Sequence, residues 1–196
     1  VERIETHASV VFLAGPRAYK LKRAVKYPFL DFSTLELRHR ALLNELRLNR
    51  RTAPHLYLEV LPITLDKGGK FHIAGQGKIV EWVLVMRRFD QSKLLDRMAE
   101  DGRLPLADMP RLARVIADFH RNADRFLGAD ESVSALLAVI EDNAAVLAGE
   151  EANFSAGEVA TVDHASREML AALAPLLKAR AQEGNVRHCH GDLHLG

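Results

Sequence analysis

Apolar and polar positions alternate through the early part of the chain, a pattern typical of half-buried β-strands. Two such runs, 9–13 and 18–22, flank a Gly-Pro pair, and this arrangement predicts a hairpin. Three further strands are predicted, at 56–65, 70–74 and 79–87. Lys67-Gly68-Gly69 marks the turn of a second hairpin. The pattern therefore predicts an antiparallel sheet of five strands.

One helix is predicted within this sheet-forming region, after the first hairpin. Ser33-Thr34-Leu35-Glu36 has the sequence of a capping box, and the leucines from Leu35 to Leu48 recur at roughly helical spacing. Pro54 closes the segment. We therefore expect a helix of about 18 residues.

Beyond Phe89 the apolar spacing is helical almost to the end of the chain. Two apolar stripes have the spacing of amphipathic helices, namely Leu112, Val115, Ile116 and Phe119, and then Val133, Leu136, Leu137 and Ile140. A third helix is predicted from a capping box at Ser155 and Glu158, with a kink at Pro175 and an end at Gly184. The predicted fold class is α+β, with a sheet-rich part at residues 1–88 and a helical part at residues 89–196.

Composition excludes several classes of protein. With 48% hydrophobic and 27% charged residues, the sequence is that of an ordinary globular protein. Its 27 basic and 26 acidic residues give a net charge of +1, so nucleic acid is not an expected partner. The single cysteine, Cys189, rules out an internal disulfide and suits a reducing compartment. We find no apolar run long enough for a membrane span and no signal peptide, and predict a cytoplasmic protein.

The end of the sequence carries the strongest chemical signal. His190-Gly191-Asp192-Leu193-His194 follows an expected extended piece, 186–189. Kinase-like phosphotransferases place an Asp after a His in the catalytic loop, where it aligns the hydroxyl acceptor, and a later Asn binds magnesium. Asp192 is therefore the predicted base, and His190 and His194 are expected to orient the loop. The position of the Asn falls after Gly196, so we expect an incomplete metal site in this chain.

Such chemistry needs a cation on the sheet that holds the phosphates of ATP and a carboxylate on the neighbouring helix that orients it. Lys20, in Arg17-Ala18-Tyr19-Lys20, is the first candidate for the cation. Lys22 is the second, because side chains two apart on a strand share a face. Glu45 is the predicted carboxylate, whereas Glu36 is assigned to the helix cap. An exposed ion pair is the alternative reading of Glu45.

Two other segments are expected to contact a nucleotide. The backbone at the end of the last predicted strand, at Met86, Arg87 and Arg88, is expected to lie against adenine. The turn that precedes the first predicted strand has no Gly-rich pattern, and there Thr6 and Ser9 are expected to contact phosphate.

Five stretches of the sequence together resemble one known group of enzymes. They are 5–13, 18–22, 29–34, 45–51 and 188–194. The combination resembles the aminoglycoside phosphotransferase and choline kinase families, in an uncharacterised bacterial branch. The resemblance implies a two-lobed protein-kinase-like fold, ATP and Mg²⁺ as cofactors, and phosphoryl transfer to a small-molecule hydroxyl acceptor. It also implies a later metal-binding acidic residue after Gly196 and a C-terminal P-loop domain in the full-length protein.

Other functions stay open at this point. The main alternative is a non-catalytic kinase-like module that binds a nucleotide or regulates a partner. A weaker alternative is a basic helical interaction surface formed by Arg38, Arg40, Arg47, Arg50 and Arg51. Zinc binding by His188, Cys189, His190 and His194 is disfavoured. On an extended segment His188 and His190 share a face that Cys189 does not, and no second cysteine completes a tetrahedral set. For the 196-residue chain itself we expect weak nucleotide binding and no appreciable transfer.

Overall fold

The structure, a computed structural model, describes residues 1–27, 30–126, 128–150, 153–191 and 193. The chain divides into two compact units, of which the first contains Val1–Pro105 and the second begins at Leu106. Within the described residues, every strand lies in the first unit. The mixed α+β class is thus confirmed, and the division falls after Pro105, later in the chain than the predicted residue 88.

The first unit is built on a six-stranded antiparallel sheet and a separate two-stranded ribbon. The strands are β1 (Glu2–Glu5), β2 (Ser9–Ala14), β3 (Arg17–Lys22), β4 (Lys26–Tyr27), β5 (Leu30–Asp31), β6 (Tyr57–Leu65), β7 (Phe71–Ile73) and β8 (Lys78–Arg87). The large sheet has the order β1-β2-β3-β8-β6-β7, and β4 pairs with β5. The five predicted strands correspond to β2, β3, β6, β7 and β8.

The prediction of a five-stranded sheet is wrong because it omits β1. This strand pairs with β2 at the edge of the sheet, and its sequence is Glu-Arg-Ile-Glu. Charged side chains are common on exposed edge strands, where they discourage pairing with other chains. They also remove the apolar alternation by which a strand is detected in a sequence.

The predicted turn between β6 and β7 is confirmed, and Asp66 organises it. The Asp66 carboxylate accepts the N–H groups of Gly68 at 2.8 Å and Lys70 at 2.9 Å. Gly69 has a φ of 77°, which favours glycine. The turn therefore depends on an aspartate as well as on the glycines.

Helix α1 (Leu35–Asn49) confirms the predicted helix but not its cap. The N-cap is Thr34, whose hydroxyl accepts the N–H of Leu37 at 3.2 Å. Ser33 instead donates its N–H and its hydroxyl to Asp31, at 3.0 and 2.6 Å. The predicted capping box of Ser33 and Glu36 is therefore wrong, because the preceding aspartate engages the serine.

α1 packs on the sheet, with its contacts on β8, β6 and β3. Leu42 of α1 and Leu84 of β8 are both fully buried, with 0% exposure. Val83 is nearly so, at 1%. This core fixes how α1 crosses β3, the strand that carries the two candidate lysines.

The helical part of the chain begins with the short helix α2 (Leu95–Glu100), which belongs to the first unit. Three longer helices follow in the second unit, α3 (Met109–Asn122), α4 (Ala129–Gly149) and α5 (Ala156–Gln182). They contain the three predicted apolar patterns in order, and α4 packs against α5.

The predicted ends of α5 are both confirmed. The N–H of Ser155 donates to the Glu158 carboxylate at 2.8 Å, and the Ser155 hydroxyl accepts the N–H of Glu158 at 3.3 Å. These two bonds form a capping box. The helix continues through Pro175 and is followed by Gly184, with a φ of 75°.

α4 is more apolar than the sequence analysis suggested. It has 21 residues and is, by length and composition only, sufficient to cross a membrane. The sequence still contains no uninterrupted apolar run of that length, because acidic side chains such as Glu131 and Glu141 lie within α4. One such helix is weak evidence for a membrane protein, because helices of soluble proteins share this composition. The cytoplasmic location stays a prediction.

Candidate functional site

Strand β3 places the two candidate lysines on one face of the sheet. It lies between β2 and β8, where Lys20 is directly opposite Val11 and Leu84, and Lys22 is opposite Ser9. Because side chains alternate along a strand, Lys20 and Lys22 point to the same side.

Glu45 binds both lysines at once. Its Oε1 accepts from Nζ of Lys20 at 2.7 Å, and its Oε2 lies 2.7 Å from Nζ of Lys22. The side chains are 14% exposed for Glu45, 26% for Lys20 and 12% for Lys22. We call these three residues the lysine cluster. The sequence left Lys20 and Lys22 as alternatives, and the structure brings both of them to Glu45.

The charges of the cluster determine the protonation of Glu45. Burial is the largest single effect and would raise the pKa of this carboxyl group. The positive charges of Lys20 and Lys22, together with their hydrogen bonds, outweigh burial and hold the pKa below its ordinary value of 4.5. Glu45 is thus ionised at neutral pH, and the cluster carries a formal charge of +1.

Two aromatic residues of the first unit interact with the charged groups of the cluster, Phe32 with Lys22 and Tyr57 with Glu45. The Lys22 ammonium lies 5.2 Å from the ring centroid of Phe32, within the range of a cation–π interaction. Burial raises the pKa of the Tyr57 phenol, and the negative charge of Glu45 raises it further. The tyrosine therefore stays protonated at neutral pH.

An ion pair between Arg38 of α1 and Glu81 of β8, which was not predicted from the sequence, holds the helix on the sheet. Nε of Arg38 donates to both oxygens of Glu81, at 3.0 and 2.8 Å, and Nη1 donates to the carbonyl of Phe32 at 2.9 Å. Arg38 is only 8% exposed, so it is not part of a basic surface as the weaker alternative supposed. One signal could have found it, since Arg38, Leu42 and Glu45 have the i, i+4, i+7 spacing of a single helical face.

A ring stack makes a second link between these elements. The ring centroids of His39 and Trp82 are 3.6 Å apart, and the two ring planes meet at an angle of 9°. Together with the Arg38–Glu81 pair, the stack fixes the N-terminal half of α1 against β8. Glu45 therefore reaches the lysines from a helix that is held at two other points.

The turn predicted to contact phosphate is closed by its own hydrogen bonds. The Thr6 hydroxyl accepts the N–H of Ser9 at 3.0 Å and lies 3.2 Å from the Ser9 carbonyl. Ser9 is 5% exposed. The structure thus places Thr6 and Ser9 in a β1–β2 turn that they stabilise, and their contact with phosphate stays a prediction.

The segment predicted to lie against adenine continues β8. Met86 pairs with Ala18, the N–H of Arg87 donates to the carbonyl of Leu56 at 2.8 Å, and the N–H of Arg88 donates to that of Pro16 at 2.9 Å. The backbone N–H groups of Arg87 and Arg88 therefore already donate hydrogen bonds within the first unit. Recognition of a base by this segment stays a prediction.

The segment before the predicted catalytic loop lies in the second unit and is extended, as expected. Arg187 forms an antiparallel bridge with Arg125. On either side of this bridge, the N–H of Phe126 donates to the Val186 carbonyl and the N–H of His188 donates to the Asp124 carbonyl, each at 2.9 Å. These bonds fix the start of the loop against the chain that follows α3.

Only part of the loop motif falls in the described residues. His190 is exposed, and Gly191 has a φ of 82°. Asp192 and His194 lie outside the described residues, so the roles predicted for them are untested. Among the side chains that are described, no group of three or more His, Cys, Asp or Glu could hold a metal ion.

The comparisons with known proteins give relatives without a stated function. No protein-family model and no solved structure matches the chain. It is similar to uncharacterised proteins of Mycobacterium bovis and Mycobacterium tuberculosis, with 32% identity over 192 residues. The match covers 96% of this chain and 37% of each relative. The chain thus spans little more than a third of the length of the curated relatives it matches.

Proposed function

We propose that the protein is an ATP-dependent phosphotransferase that transfers a phosphoryl group to the hydroxyl of a small molecule. One observation carries the proposal, the bonding of Glu45 on α1 to Lys20 and Lys22 on β3. The sequence predicts Lys20, or as the second choice Lys22, as the phosphate-binding cation and Glu45 as its orienting carboxylate. A two-lobed kinase-like fold, with the sheet on the ATP-binding side, belongs to the same proposal.

The chemistry of the lysine cluster suits a polyphosphate. Phosphoryl transfer is catalysed mainly by positioning the groups and neutralising the charge that spreads over the phosphoryl oxygens. Glu45 holds both ammonium groups within 2.7 Å of its oxygens, so their positions are set before a ligand arrives. The formal charge of +1 is partly buried, where it attracts an anion more strongly than in water.

ATP and magnesium have different support in this chain. The phosphates of ATP fit the charge of the lysine cluster, and ATP would supply the phosphoryl group. For Mg²⁺ the described residues offer no cluster of ligands, and the Asn and acidic residue that the family resemblance implies would come after Gly196. Mg²⁺ is therefore part of the proposal only for a polypeptide that contains those residues.

In this proposal Asp192 acts on the acceptor. It orients the hydroxyl and accepts its proton as the oxygen attacks the terminal phosphorus, and ADP leaves. His190 and His194 orient the loop. The bonds of 186–188 to 124–126 support this assignment, because they give the loop a fixed starting point.

The test uses a polypeptide that continues beyond Gly196 through the expected metal ligands, together with ATP, Mg²⁺ and a panel of hydroxylated small molecules. We expect acceptor-dependent release of ADP and a phosphorylated product in the mass spectrum. Asp192→Asn should lower kcat by about 10²–10⁴-fold, the usual contribution of a positioned acid or base. Asp108→Asn, at an exposed residue that makes no capping bond, is the matched control and should keep full activity.

The outcomes separate the proposal from its main alternative. ATP binding without turnover on any acceptor would reject the enzyme and favour a non-catalytic nucleotide-binding module. If the longer polypeptide does not bind ATP at all, both the enzyme and the nucleotide-binding module are rejected.

A further inference from the structure

We propose that Lys20 donates to the phosphoryl oxygens of the ligand and that Lys22 is a positioning residue, which keeps Glu45 compensated when Lys20 does so. This division of roles rests on the proposed function for the identity of the ligand. It goes beyond that function because it assigns a separate role to a second lysine.

The difference in exposure of the two lysines supports the division. Both ammonium groups are 2.7 Å from Glu45, but the Lys20 side chain is 26% exposed and the Lys22 side chain is 12% exposed. Lys22 is also held near the ring of Phe32. Lys20 is thus the more accessible donor, whereas Lys22 has a second interaction that keeps it in place.

The charges of the cluster show why a second lysine is useful. If Glu45 had Lys20 as its sole partner, the pair would be neutral, and a phosphate would have to compete with a partly buried carboxylate for the same ammonium group. A buried carboxylate without a partner is strongly unfavourable. With Lys22 on the other carboxylate oxygen, Lys20 can bond to an anion while Glu45 remains paired.

This charge balance predicts a specific pattern among variants. The cluster has a formal charge of +1 in the wild type, zero in Lys22→Met, and +1 again in the double variant Lys22→Met/Glu45→Gln. If Lys22 acts by compensating Glu45, removal of the carboxylate should restore what the loss of Lys22 removes. If Lys22 itself bonds to the ligand, the second substitution cannot restore binding.

The experiment measures binding of ATP and of inorganic tripolyphosphate to the chain by calorimetry, at low salt and neutral pH. We expect Lys20→Met and Lys22→Met each to weaken tripolyphosphate binding about tenfold or more, the usual effect of losing a hydrogen bond to a charged group. Lys20→Met removes the donor of that bond, whereas Lys22→Met leaves Lys20 as the sole partner of Glu45, so that the phosphate must compete for it. Lys22→Met/Glu45→Gln should recover to within about threefold of the wild type, which is less than half of that free energy. Lys20→Met/Glu45→Gln should remain weak.

Lys26→Met is the matched control. It removes one lysine charge from the same unit, at a side chain that is 72% exposed and pairs with Asp31. Its binding should match the wild type, and thermal melts of all variants show whether each one is folded.

Each result decides between the claims. The expected tripolyphosphate pattern without phosphoryl transfer from ATP, measured in the longer polypeptide, supports the division of roles and rejects the proposed function. Binding in the wild type without recovery in Lys22→Met/Glu45→Gln rejects the division of roles and leaves the function standing. No binding of either probe to the folded wild type, or equal binding by wild type and Lys20→Met, rejects the division of roles.

Discussion

Among single residues, Glu45 links the stability of the first unit to pH. Its pKa lies below 4.5 in the folded chain, despite the opposing effect of burial, because two lysines favour the charged form. Glu45 therefore binds protons less readily in the folded than in the unfolded state. Its contribution to stability is complete above about pH 4.5 and is lost as the pH falls through the lower, folded pKa.

We expect Glu45→Gln to lower the free energy of unfolding at neutral pH by about 1–3 kcal/mol, because two lysines lose a charged acceptor in a partly buried site. The difference from the wild type should shrink in acid, where Glu45 itself becomes protonated. Urea unfolding at about pH 7 and about pH 3 measures both differences. Glu36→Gln, at an exposed residue of the same helix, is the control. An equal difference at both pH values would contradict the prediction.

Asp31 offers a second test, at the start of α1. Bonds from the Ser33 hydroxyl and N–H, with a smaller effect of Lys26, lower its pKa from 3.8 to about 2. We expect Ser33→Ala to raise the pKa of Asp31 towards its ordinary value, because the largest of these effects is removed. The pKa of Asp31 is measured by following the NMR shift of its carboxyl carbon as the pH is changed. Asp90 makes the same pair of bonds to Ser92 and should keep its lowered pKa in this variant.

The residues of the cluster were predictable in type but not in arrangement. The period of two along a strand indicates that Lys20 and Lys22 share a face. Glu45 was predicted because kinase-like chemistry needs a carboxylate on the neighbouring helix. Neither consideration indicates that Glu45 reaches both lysines, because this depends on how α1 crosses β3. Arg38 was missed for the same reason, since its partner Glu81 is distant in the sequence.

Among the elements, α1 positions the cluster, and its anchor can be tested. Arg38→Met should destabilise the chain by about 3–5 kcal/mol, because it leaves the partly buried Glu81 without its partner. Arg38→Met/Glu81→Met should recover much of this loss, since no charge is left unpaired. The exposed Arg40 gives the control Arg40→Met. A double variant as unstable as the sum of the singles would contradict the coupling.

Two capping sequences show where prediction of elements succeeds and where it fails. The capping box at Ser155 and Glu158 was predicted correctly. Among the described residues, the hydrogen bonds of the Ser155 N–H and hydroxyl are made with Glu158. The box at Ser33 was predicted wrongly, because Asp31 lies two residues earlier and engages Ser33. A carboxylate just before a helix start is thus a reason to place the cap one residue later.

For the whole molecule, the division into two units predicts that the first can fold alone. The ion pairs that join Lys20 and Lys22 to Glu45, and Arg38 to Glu81, lie within Val1–Pro105. A polypeptide of this length is large enough to form its own core. We expect the isolated first unit to unfold cooperatively and to keep the lowered pKa of Glu45, as measured by NMR. A non-cooperative transition would show that the cluster needs the second unit.

The second unit leaves large apolar side chains exposed on α4 and α5. Val146 is 60% exposed and Met169 is 61% exposed. In this chain we expect Val146→Gln and Met169→Gln to change stability by no more than about 0.5 kcal/mol, because exposed positions contribute little. Ile140→Ala, at a half-buried side chain of α4, should be more destabilising.

The relatives are much longer than the matched region, since it covers 37% of each of them. If additional polypeptide covers Val146 and Met169 in a longer protein, burial would give each side chain a stabilising contribution of about 1–3 kcal/mol. In that case we expect the two glutamine substitutions to be clearly destabilising in a longer polypeptide and not in the 196-residue chain. Urea unfolding of both forms measures the difference. Equal effects in the two forms would mean that Val146 and Met169 stay exposed to solvent in the longer polypeptide as well.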